Sequence, residues 1–509
     1  MTLATVDGCG VGLNADLTPE ELGAGVWSNT QNMRFSNGYA ERFRGTKQVF
    51  ATPAITPYWL TPYATTTARY WVHAGLTAVY VDDGVTRTNI TGAAPTGAID
   101  DRWTGGVLNG VLAINNGVDK PMYWAGTSTL ATLPGWGATW KAAALRPFKN
   151  FLIALDISKG ATRYPHMVKW SDIAVPGAIP SSWDEANPAL DAGEQDLAET
   201  SDLMVDCLPL GDANIIYKER SMYAMTYVGA PYIFRFQRLP GDSGMLARGC
   251  GVSTPVGHVV LAAGDVVLNT GSGAQSIANG AVRNFIFKNI DTDNYRRAFV
   301  TANPQKNEAW ICFPYGVSST CNKAVVWNWV DKTWSVRTLV NATYGAFGQV
   351  NVASSAGAWS ADSDPWDADI SGWNENEYSP AEARLLMCHS TPLISTVDTG
   401  PTDFGSVIDA SLERTGITLG DPYSVKTIRS IRPRIDGTTG SSITVQVGAS
   451  MYPDGAVEWK TPQTFSVGQS VKIDSFVSGR FLSVRFSNAD YNPWRMKSFD
   501  IDYVVSGAY

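Results

Sequence analysis

The stretch NIIYKERSMYAMTYVGAPYIFRFQ, residues 214–237, decides the fold class of this chain. It contains three short apolar runs, separated by the turns KER and GAP. In the middle run Tyr223, Met225 and Tyr227 alternate with other residues, and the last run alternates in the same way. A period of two between short polar turns is typical of antiparallel β-strands. We therefore predict a three-stranded meander here.

Similar hairpins recur along most of the chain. A sheet of three or four strands cannot bury its own apolar face, so it requires similar sheets beside it. The turns of most neighbouring hairpins lie roughly 35 to 65 residues apart, near the spacing of β-propeller blades. The sequence therefore predicts an all-β fold, an irregular β-propeller of about six or seven blades. The predicted hairpins span residues 69–81, 103–115, 144–156, 215–228, 258–269, 297–313, 324–336 and 384–397.

Composition and turn signals divide the chain into three regions. Residues 1–50 are predicted as an N-terminal segment, 51–400 as the propeller, and 401–509 as a separate, sandwich-like antiparallel β domain. In the N-terminal segment, Thr18-Pro19-Glu20-Glu21 has the pattern of a helix start. Asn37-Gly38 is a hairpin turn signal. The segment is therefore expected to hold one short helix and one hairpin.

The strand before the Asn-Gly turn has two interpretations. Residues 32–36 are expected to pair with residues 39–43 across the turn. The first strand is then either an exposed edge for docking or a strand that closes the first sheet. Both interpretations follow from the same pattern, and the sequence leaves them open.

Two stretches of the propeller region have the composition of insertions. Residues 176–206 are rich in Pro, Ala, Asp and Glu, which predicts a loop across one face of the ring. Residues 354–380 are acidic and rich in Trp, which predicts either a long loop or a weak blade. Extended loops are the usual contact elements of such a scaffold.

Charge limits the classes of partner. The net charge is −8 and the pI about 5.2, which argues against a protein that grips nucleic acid through a broad basic face. DNA could still slide past a neutral or acidic wall. We find no signal-peptide pattern at the N-terminus and no apolar run approaching the ~20 residues that span a bilayer. The sequence thus predicts synthesis in the cytoplasm and no membrane segment.

Residues that could carry catalysis are sparse. The four histidines are dispersed and no known catalytic motif occurs, so we predict no catalytic residue, no cofactor and no enzyme activity. The six cysteines form no CxxC pair, which predicts buried free thiols. The alternative is one disulfide across a hairpin, between Cys312 and Cys321. The histidines, expected to be structural, are His73, His166, His258 and His389.

Two motifs keep other functions open. The aspartates of residues 362–369 have the density of a calcium loop, but they lack its glycine and its distal Glu, so we predict a solvated acidic loop and no metal. Residues 328–334, NWVDKTW, resemble the Asp box of sialidase-type propellers, where it fixes a turn. Glycosidase chemistry would need two carboxylates about 5 to 10 Å apart or a Tyr nucleophile with an arginine cluster. The four aspartates are Asp362, Asp364, Asp367 and Asp369.

One basic cluster stands out in the C-terminal region. Lys426, Arg429, Arg432 and Arg434 occur in a stretch without acidic residues from position 422 to 435. Arg432 and Arg434 are two residues apart, so they share one face of a strand. We consider two interpretations: a contact with an acidic neighbouring subunit or DNA phosphate, and a solvated strand face. In the second case the partners would be Asp436, Asp474, Asp500 or Asp502.

Several short motifs carry a resemblance to a known family. The chain resembles the tail nozzle proteins (also called tail hub or tail tubular proteins) of short-tailed bacteriophages, which are of the β-propeller type. The likeness is scattered over most of the chain and consists of packing and turn motifs. The residues that carry it are 27–29 (WSN), 32–38 (NMRFSNG), 168–172 (VKWSD), 182–184 (SWD), 196–200 (DLAET), 210–212 (LGD), 216–219 (IYKE), 431–435 (IRPRI) and 479–486 (GRFLSVRF).

The resemblance implies a structural role in a virion. It implies a homohexameric ring below the tail adaptor and the portal, enclosing a channel that retains packaged DNA and conducts it during ejection. Tail fibres or spikes are further partners that it suggests. The alternative hypothesis is a propeller glycoside hydrolase or a carbohydrate-binding tail adhesin, which would need clustered carboxylates with arginines or an exposed aromatic platform.

Overall fold

A computed structural model describes residues 2–65, 68–350, 383–453, 455–488 and 490–508. The regular secondary structure of the described chain is almost all β-strand, and most strand pairs are antiparallel, as predicted. The predicted insertion at 354–380 and the aspartates of residues 362–369 lie outside the described residues.

The N-terminal segment contributes short strands to several sheets. Its predicted hairpin is confirmed, because Met33 pairs with Arg42 and Ser36 with Tyr39. The predicted helix is only a single 3-10 turn, Pro19–Glu21, with no side-chain cap. Arg414 donates hydrogen bonds to the carbonyls of Pro19 and Leu22, which a longer helix would use internally. The strands are β1 (Thr2–Asp7), β2 (Gly12–Leu13), β3 (Val26–Trp27), β4 (Asn29–Gln31), β5 (Met33–Ser36), β6 (Tyr39–Arg42) and β7 (Thr46–Gln48).

Five four-stranded meanders follow, and each is a propeller blade. The period-two runs of the sequence form these strands, and each predicted hairpin in this part of the chain pairs as expected. The strands are β8 (Trp59–Ala64), β9 (Arg69–Ala74), β10 (Val79–Asp82), β11 (Arg87–Asn89), β12 (Thr104–Leu108), β13 (Val111–Asn115), β14 (Met122–Trp124), β15 (Ala131–Thr132), β16 (Trp140–Phe148), β17 (Phe151–Lys159), β18 (Thr162–Trp170), β19 (Gly193–Asp196), β20 (Met204–Leu210), β21 (Ala213–Lys218), β22 (Met222–Gly229), β23 (Ile233–Arg238), β24 (Gly251–Thr254), β25 (Gly257–Ala262), β26 (Asp265–Asn269) and β27 (Ala274–Ser276).

Two further blades share one long strand. A short helix, α1 (Arg283–Phe287), leads towards β28 (Phe299–Asn303) and β29 (Glu308–Phe313). The first half of the long strand completes blade six, and its second half begins blade seven. The N-terminal strand β7 is the outer strand of blade seven. The remaining strands of these blades are β30 (Cys321–Asn328), β31 (Trp334–Gln349), β32 (Ala383–His389) and β33 (Leu393–Val397).

Blade seven packs against blade one and closes the ring. The indole Nε1 of Trp71 in blade one donates to the carbonyl of Gln349 in blade seven, 2.9 Å away. The hydroxyl of Thr343 donates to the carbonyl of Pro57 at 2.6 Å. Apolar side chains of both blades share one buried cluster, which includes Leu60 and Leu386. The described strands thus form a seven-bladed propeller.

Residues 176–206 are more ordered than the predicted loop. Within them, β19 is the outer strand of blade three and pairs with β18. The next blade already begins at Met204. The loop itself is therefore limited to the connection from Trp170 to Gly193 and the short connection after Asp196.

The C-terminal region forms a two-sheet sandwich. One sheet contains β36, β38, β39, β40 and β42, and the other contains β37, β41 and β43. Apolar side chains such as Ile431, Phe486 and Phe499 fill the space between them. The strands of this region are β34 (Thr402–Asp403), β35 (Ser406–Val407), β36 (Ser411–Ile417), β37 (Ser424–Gly437), β38 (Ser442–Ser450), β39 (Glu458–Trp459), β40 (Gln463–Ser466), β41 (Ile473–Gly479), β42 (Phe481–Asn488) and β43 (Trp494–Ala508).

The sandwich is not separate from the rest of the chain. Strand β4 joins its first sheet beside β36, and β1 and β6 join its second sheet along β43. Trp27 from the N-terminal segment packs between Phe486 and Phe499, with ring centroids 6.2 and 6.1 Å away. Strand β5 links the sandwich to the propeller, since it pairs with β6 and, at Met33, with Val336 of β31. The two parts share one continuous core.

Candidate functional site

The predicted basic cluster lies on β37, in the second sheet of the sandwich. The register pairs Arg432 with Asp500 and Arg434 with Ser498, so the two arginines share a face, as predicted. Arg434 Nη2 lies 3.3 Å from Asp500 Oδ2. Asp500 also accepts a 2.7 Å hydrogen bond from Thr5 of β1. This end of the cluster is a paired strand face that holds β1 in place.

Lys426 differs from the other members of the cluster because it is buried. Only 1% of its surface is exposed, and its ammonium donates to the carbonyl of Asp421. Burial lowers the pKa of Lys426, and the nearby Asp421 carboxylate opposes that shift. A buried ammonium with an internal partner cannot contact another subunit. Lys426 therefore does not belong to an exposed contact surface.

Arg429 lies on the exposed side of the sheet, and so does a phenylalanine of the facing strand. The pairing of β37 with β41 is irregular between Ile428 and Ser430, and Arg429 lies at this irregularity, exposed to solvent. Phe476, in the facing part of β41, is 72% exposed. We call Arg429 and Phe476 the Arg–Phe patch. Arginine and aromatic side chains are enriched in protein interfaces.

The other acidic residues named as partners of the cluster pair elsewhere. Asp436 lies 3.3 Å from Arg495, and Asp474 lies 2.7 Å from Lys472. Of the four predicted partners, Asp500 is the one that pairs with the cluster. Asp502 is buried, and its Oδ1 has no hydrogen-bond partner among the described residues.

Buried ion pairs join the N-terminal segment to the propeller. Arg34 of β5 binds Glu308 of β29 and lies 2.8 Å from Asp398, and all three side chains are buried. Burial raises the pKa of Glu308, while Arg34 opposes that shift. The strand of residues 32–36 is thus interior, and neither an exposed docking edge nor a strand of the first blade. Arg34 belongs to a motif of the family resemblance, but no pattern in the sequence indicates its partners.

A second network holds the loop of blade three. The ammonium of Lys169 lies 2.5 Å from Glu185 and 2.9 Å from Glu194, and Lys159 contacts the same two carboxylates. Burial alone would raise the pKa of Glu185, but the hydrogen bond and charge of Lys169 lower it to about 2. Both lysines also lie over the ring of Trp140. This carboxylate pair is occupied by ammonium groups and fixes the loop that precedes β19.

The histidines lie in different parts of the propeller. His258 is hydrogen-bonded to Tyr217 and to the carbonyl of Pro209, at 2.9 and 2.8 Å. His389 is bonded to the carbonyl of Val340 and to Ser395. His73 lies 3.2 Å from Asp82. Burial lowers the pKa of all three, so each is a neutral structural side chain at neutral pH. His166 is partly buried in β18 of blade three, whereas the other three lie in blades one, five and seven.

All six cysteines are buried and free, as predicted. Cys312 pairs across the hairpin with Ala324 rather than with Cys321. In the described part of the chain, no group of three or more His, Cys, Asp or Glu side chains is placed to share a metal ion. The NWVDKTW motif forms the turn between β30 and β31, where the Asn328 side chain accepts hydrogen bonds from the amides of Val330 and Asp331.

The comparisons with known proteins identify no family for this chain. No protein-family model matches it, and none of the curated proteins matches it. Among the helices of the described residues, none has the length and apolar character to cross a membrane.

Proposed function

We propose that this protein is an architectural subunit of a bacteriophage tail, part of a ring that extends the tail channel, retains packaged DNA and conducts it during ejection. The observation that carries the proposal is the continuous core between propeller and sandwich. Val300 of blade six, Trp27 of the N-terminal segment and Phe499 of the sandwich belong to one buried cluster. Such a body resists bending between its parts, which suits a building block that bears load.

The family resemblance supplies the assembly. It suggests a homohexamer that meets the tail adaptor ring and, through it, the portal. The Arg–Phe patch is the proposed contact between neighbouring subunits, since it joins an exposed arginine to an exposed aromatic ring on one sheet face. A chain with a net charge of −8 offers acidic surface to that arginine on the adjacent copy. DNA would pass a channel wall that is not lined by lysine and arginine.

The test is the mass of the assembled protein. Native mass spectrometry would be run on the purified chain alone and after mixing with its portal–adaptor complex. We expect a hexamer, either alone or formed on the complex. A chain that stays monomeric in both samples contradicts the proposal. A parallel assay against host polysaccharide separates the alternative, because release of sugar would indicate a tail hydrolase.

A further inference from the structure

A charged cavity lies between blade two, blade three and the connection into blade five. It has a volume of about 170 Å³ and lies between the connection after β13, the strands β16 and β17, and the connection that leads into β24. Its wall includes Gly117, Lys141, Asp156, Arg163 and Arg248. Lys141 and Arg163 are exposed and Arg248 is half-buried, so the cavity is open to solvent on the side of the first two.

The charges of the cavity do not balance. Arg163 binds Asp156 through two hydrogen bonds of 2.8 and 2.6 Å, and this pair is internally neutral. Within the described part of the chain, neither Lys141 nor Arg248 forms an ion pair. Two cations therefore face the same space without a carboxylate in direct contact, although Asp119 acts on Lys141 and Asp101 on Arg248 from further away.

Arg248 is positioned to present its guanidinium to this space. Its Nη1 donates to the carbonyl of Ala143 at 2.7 Å, which fixes the side chain against the inner strand of blade three. Burial lowers the pKa of Arg248. The carboxylates of Asp206 and Asp156 act in the opposite direction but do not outweigh burial. Asp206 itself is bound by both arms of Arg146, at 2.8 and 2.6 Å. Both oxygens of Asp206 are thus engaged by Arg146, and among the described residues Arg248 forms no ion pair with it.

Gly117 keeps the space in front of Arg248 open. Its backbone has a φ of +84°, and a Cβ added there would lie 2.5 Å from Arg248 Nη1. Any other residue would be strained at this φ and would displace the guanidinium. The positive φ is the stronger reason for glycine, because the guanidinium lies at the end of a flexible side chain and could shift.

A buried arginine that does not line the cavity adds positive charge near Arg248. Arg102 is 6% exposed, and its Nη2 has no hydrogen-bond partner among the described residues. The positive charge of Arg102 repels that of Arg248 and lowers the pKa of Arg248. An anion would relieve the repulsion between the two.

We propose that this cavity binds a phosphate group, free or esterified, with Arg248 and Lys141 as its ligands. The planar guanidinium matches the oxygens of a phosphate, and the ammonium adds a second charge. In a cavity volume of this kind, one water needs about 10–15 Å³, so the cavity has room for a phosphate group and several waters. This inference is independent of the proposed tail function, because it needs neither a ring nor a partner protein.

The experiment is a titration of the full chain followed by phosphorus NMR at constant ionic strength. The probes are inorganic phosphate, dimethyl phosphate and a short single-stranded oligonucleotide. We expect saturable line broadening that weakens roughly tenfold or more in Arg248→Gln and in Lys141→Gln. Arg296→Gln and Lys120→Gln remove the same charges from exposed positions outside the cavity and should leave the affinity unchanged.

Each outcome decides the question. Binding of inorganic phosphate alone indicates a free phosphate or monoester ligand, and binding of the diester and the oligonucleotide indicates a nucleic-acid backbone. Both support the site if they depend on Arg248 and Lys141. The absence of saturable binding by all three probes overturns it, and so does binding that neither substitution weakens. Lys141 is exposed, so its variant folds even where Arg248→Gln does not.

Discussion

Arg34 and Glu308 form a buried ion pair between the N-terminal segment and blade six, with Arg34 Nη2 lying 3.1 Å from Glu308 Oε2. The side chains are 3% and 1% exposed. Breaking a buried pair leaves one charge unpaired, which typically costs about 3–5 kcal/mol. We expect Arg34→Met to lower the free energy of unfolding by that amount, measured by denaturant titration.

An exposed pair provides the control for this prediction. Arg238 lies 3.7 Å from Asp242, and both side chains are largely exposed. Because exposed pairs contribute little, Arg238→Met should change the free energy of unfolding by less than about 1 kcal/mol. Equal effects of the two substitutions would contradict a stabilising role for the buried pair.

The sandwich should not fold without the N-terminal segment. A fragment of residues 401–509 lacks Trp27 and the strands β1, β4 and β6, which cover parts of its core and sheet edges. We expect this fragment to be unfolded or aggregated, as judged by circular dichroism and size-exclusion chromatography. A large buried aromatic alone is worth about 3–5 kcal/mol when truncated to alanine.

A rearranged chain tests whether the N-terminal segment restores folding to the sandwich. Thr2 pairs with Tyr503, so the two chain ends lie on neighbouring strands. A fragment that runs from residue 405 to 509, through a linker of about six residues, into residues 1–43 should recover cooperative unfolding. If the plain fragment already unfolds cooperatively, the N-terminal strands are not required.

Local pattern was enough to predict the blades. The strands around Asn109-Gly110 and the meander of residues 214–237 alternate with a period of two, and their turns are short, so pairing follows from neighbouring residues. The strands β1 and β7 gave no such signal. Their partners lie hundreds of residues away, at β43 and β33. The folded sandwich brings β1 to β43, and the closed ring brings β7 to β33.

The candidate sites show the same limit. Alternation correctly placed Arg432 and Arg434 on one face. The same alternation would place Lys426 on that face as well. Lys426 is buried instead, because register shifts at Val425 and after Ile428 interrupt the alternation of β37. Lys141 and Arg248 come from different blades, and the residues around each have no pattern that indicates the other. The two residues come to line one cavity only when the ring folds.

Acid should release the loop of blade three. The pKa of Glu185 falls from 4.5 to about 2 in the folded state, chiefly through Lys169, against the effect of burial. A carboxyl with a lowered pKa stabilises the fold above pH 4.5, and that contribution is lost as the pH falls towards 2. We expect the protection factors of the amides in residues 183–192, which compare the observed exchange with the intrinsic rate at each pH, to fall over this interval.

A substitution identifies the cause of that acid response. Lys169→Met removes the ammonium that lowers the pKa of Glu185 most and leaves Lys159 in place, so the loop should lose protection at neutral pH and respond less to acid. Lys472→Met removes an exposed lysine paired with Asp474 and should leave the response intact. An acid response that persists undiminished in Lys169→Met assigns it to other carboxyl groups.

The thiols should be unreactive in the folded protein. Burial raises the pKa of Cys9, Cys207 and Cys250 to about 12, and it raises the pKa of the other cysteines as well. Since the thiolate is the reacting form, Ellman's reagent at pH 8 should detect no thiol without denaturant. In denaturant it should detect all six. A count lower by two would instead indicate the Cys312–Cys321 disulfide.

The Arg–Phe patch should control assembly, a prediction that rests on the proposed ring. Phe476 is 72% exposed on β41, so Phe476→Asp should leave the fold intact, and its charge would face the neighbouring subunit. An aromatic at the centre of an interface typically contributes ~2 kcal/mol or more. We expect subunit association to weaken at least roughly tenfold, measured by native mass spectrometry across a dilution series.

A matched substitution separates a specific contact from a general effect of charge. Val317 is also fully exposed but lies in the turn between β29 and β30 of the propeller, so Val317→Asp adds the same charge far from β41. It should leave association unchanged. Charge reversal at the second member of the patch, Arg429→Glu, should weaken association as Phe476→Asp does, because an acidic neighbour would then repel it. If both patch variants assemble like the unaltered chain, the subunits meet through another face, and the contact proposed for β37 and β41 is wrong even where the ring itself forms.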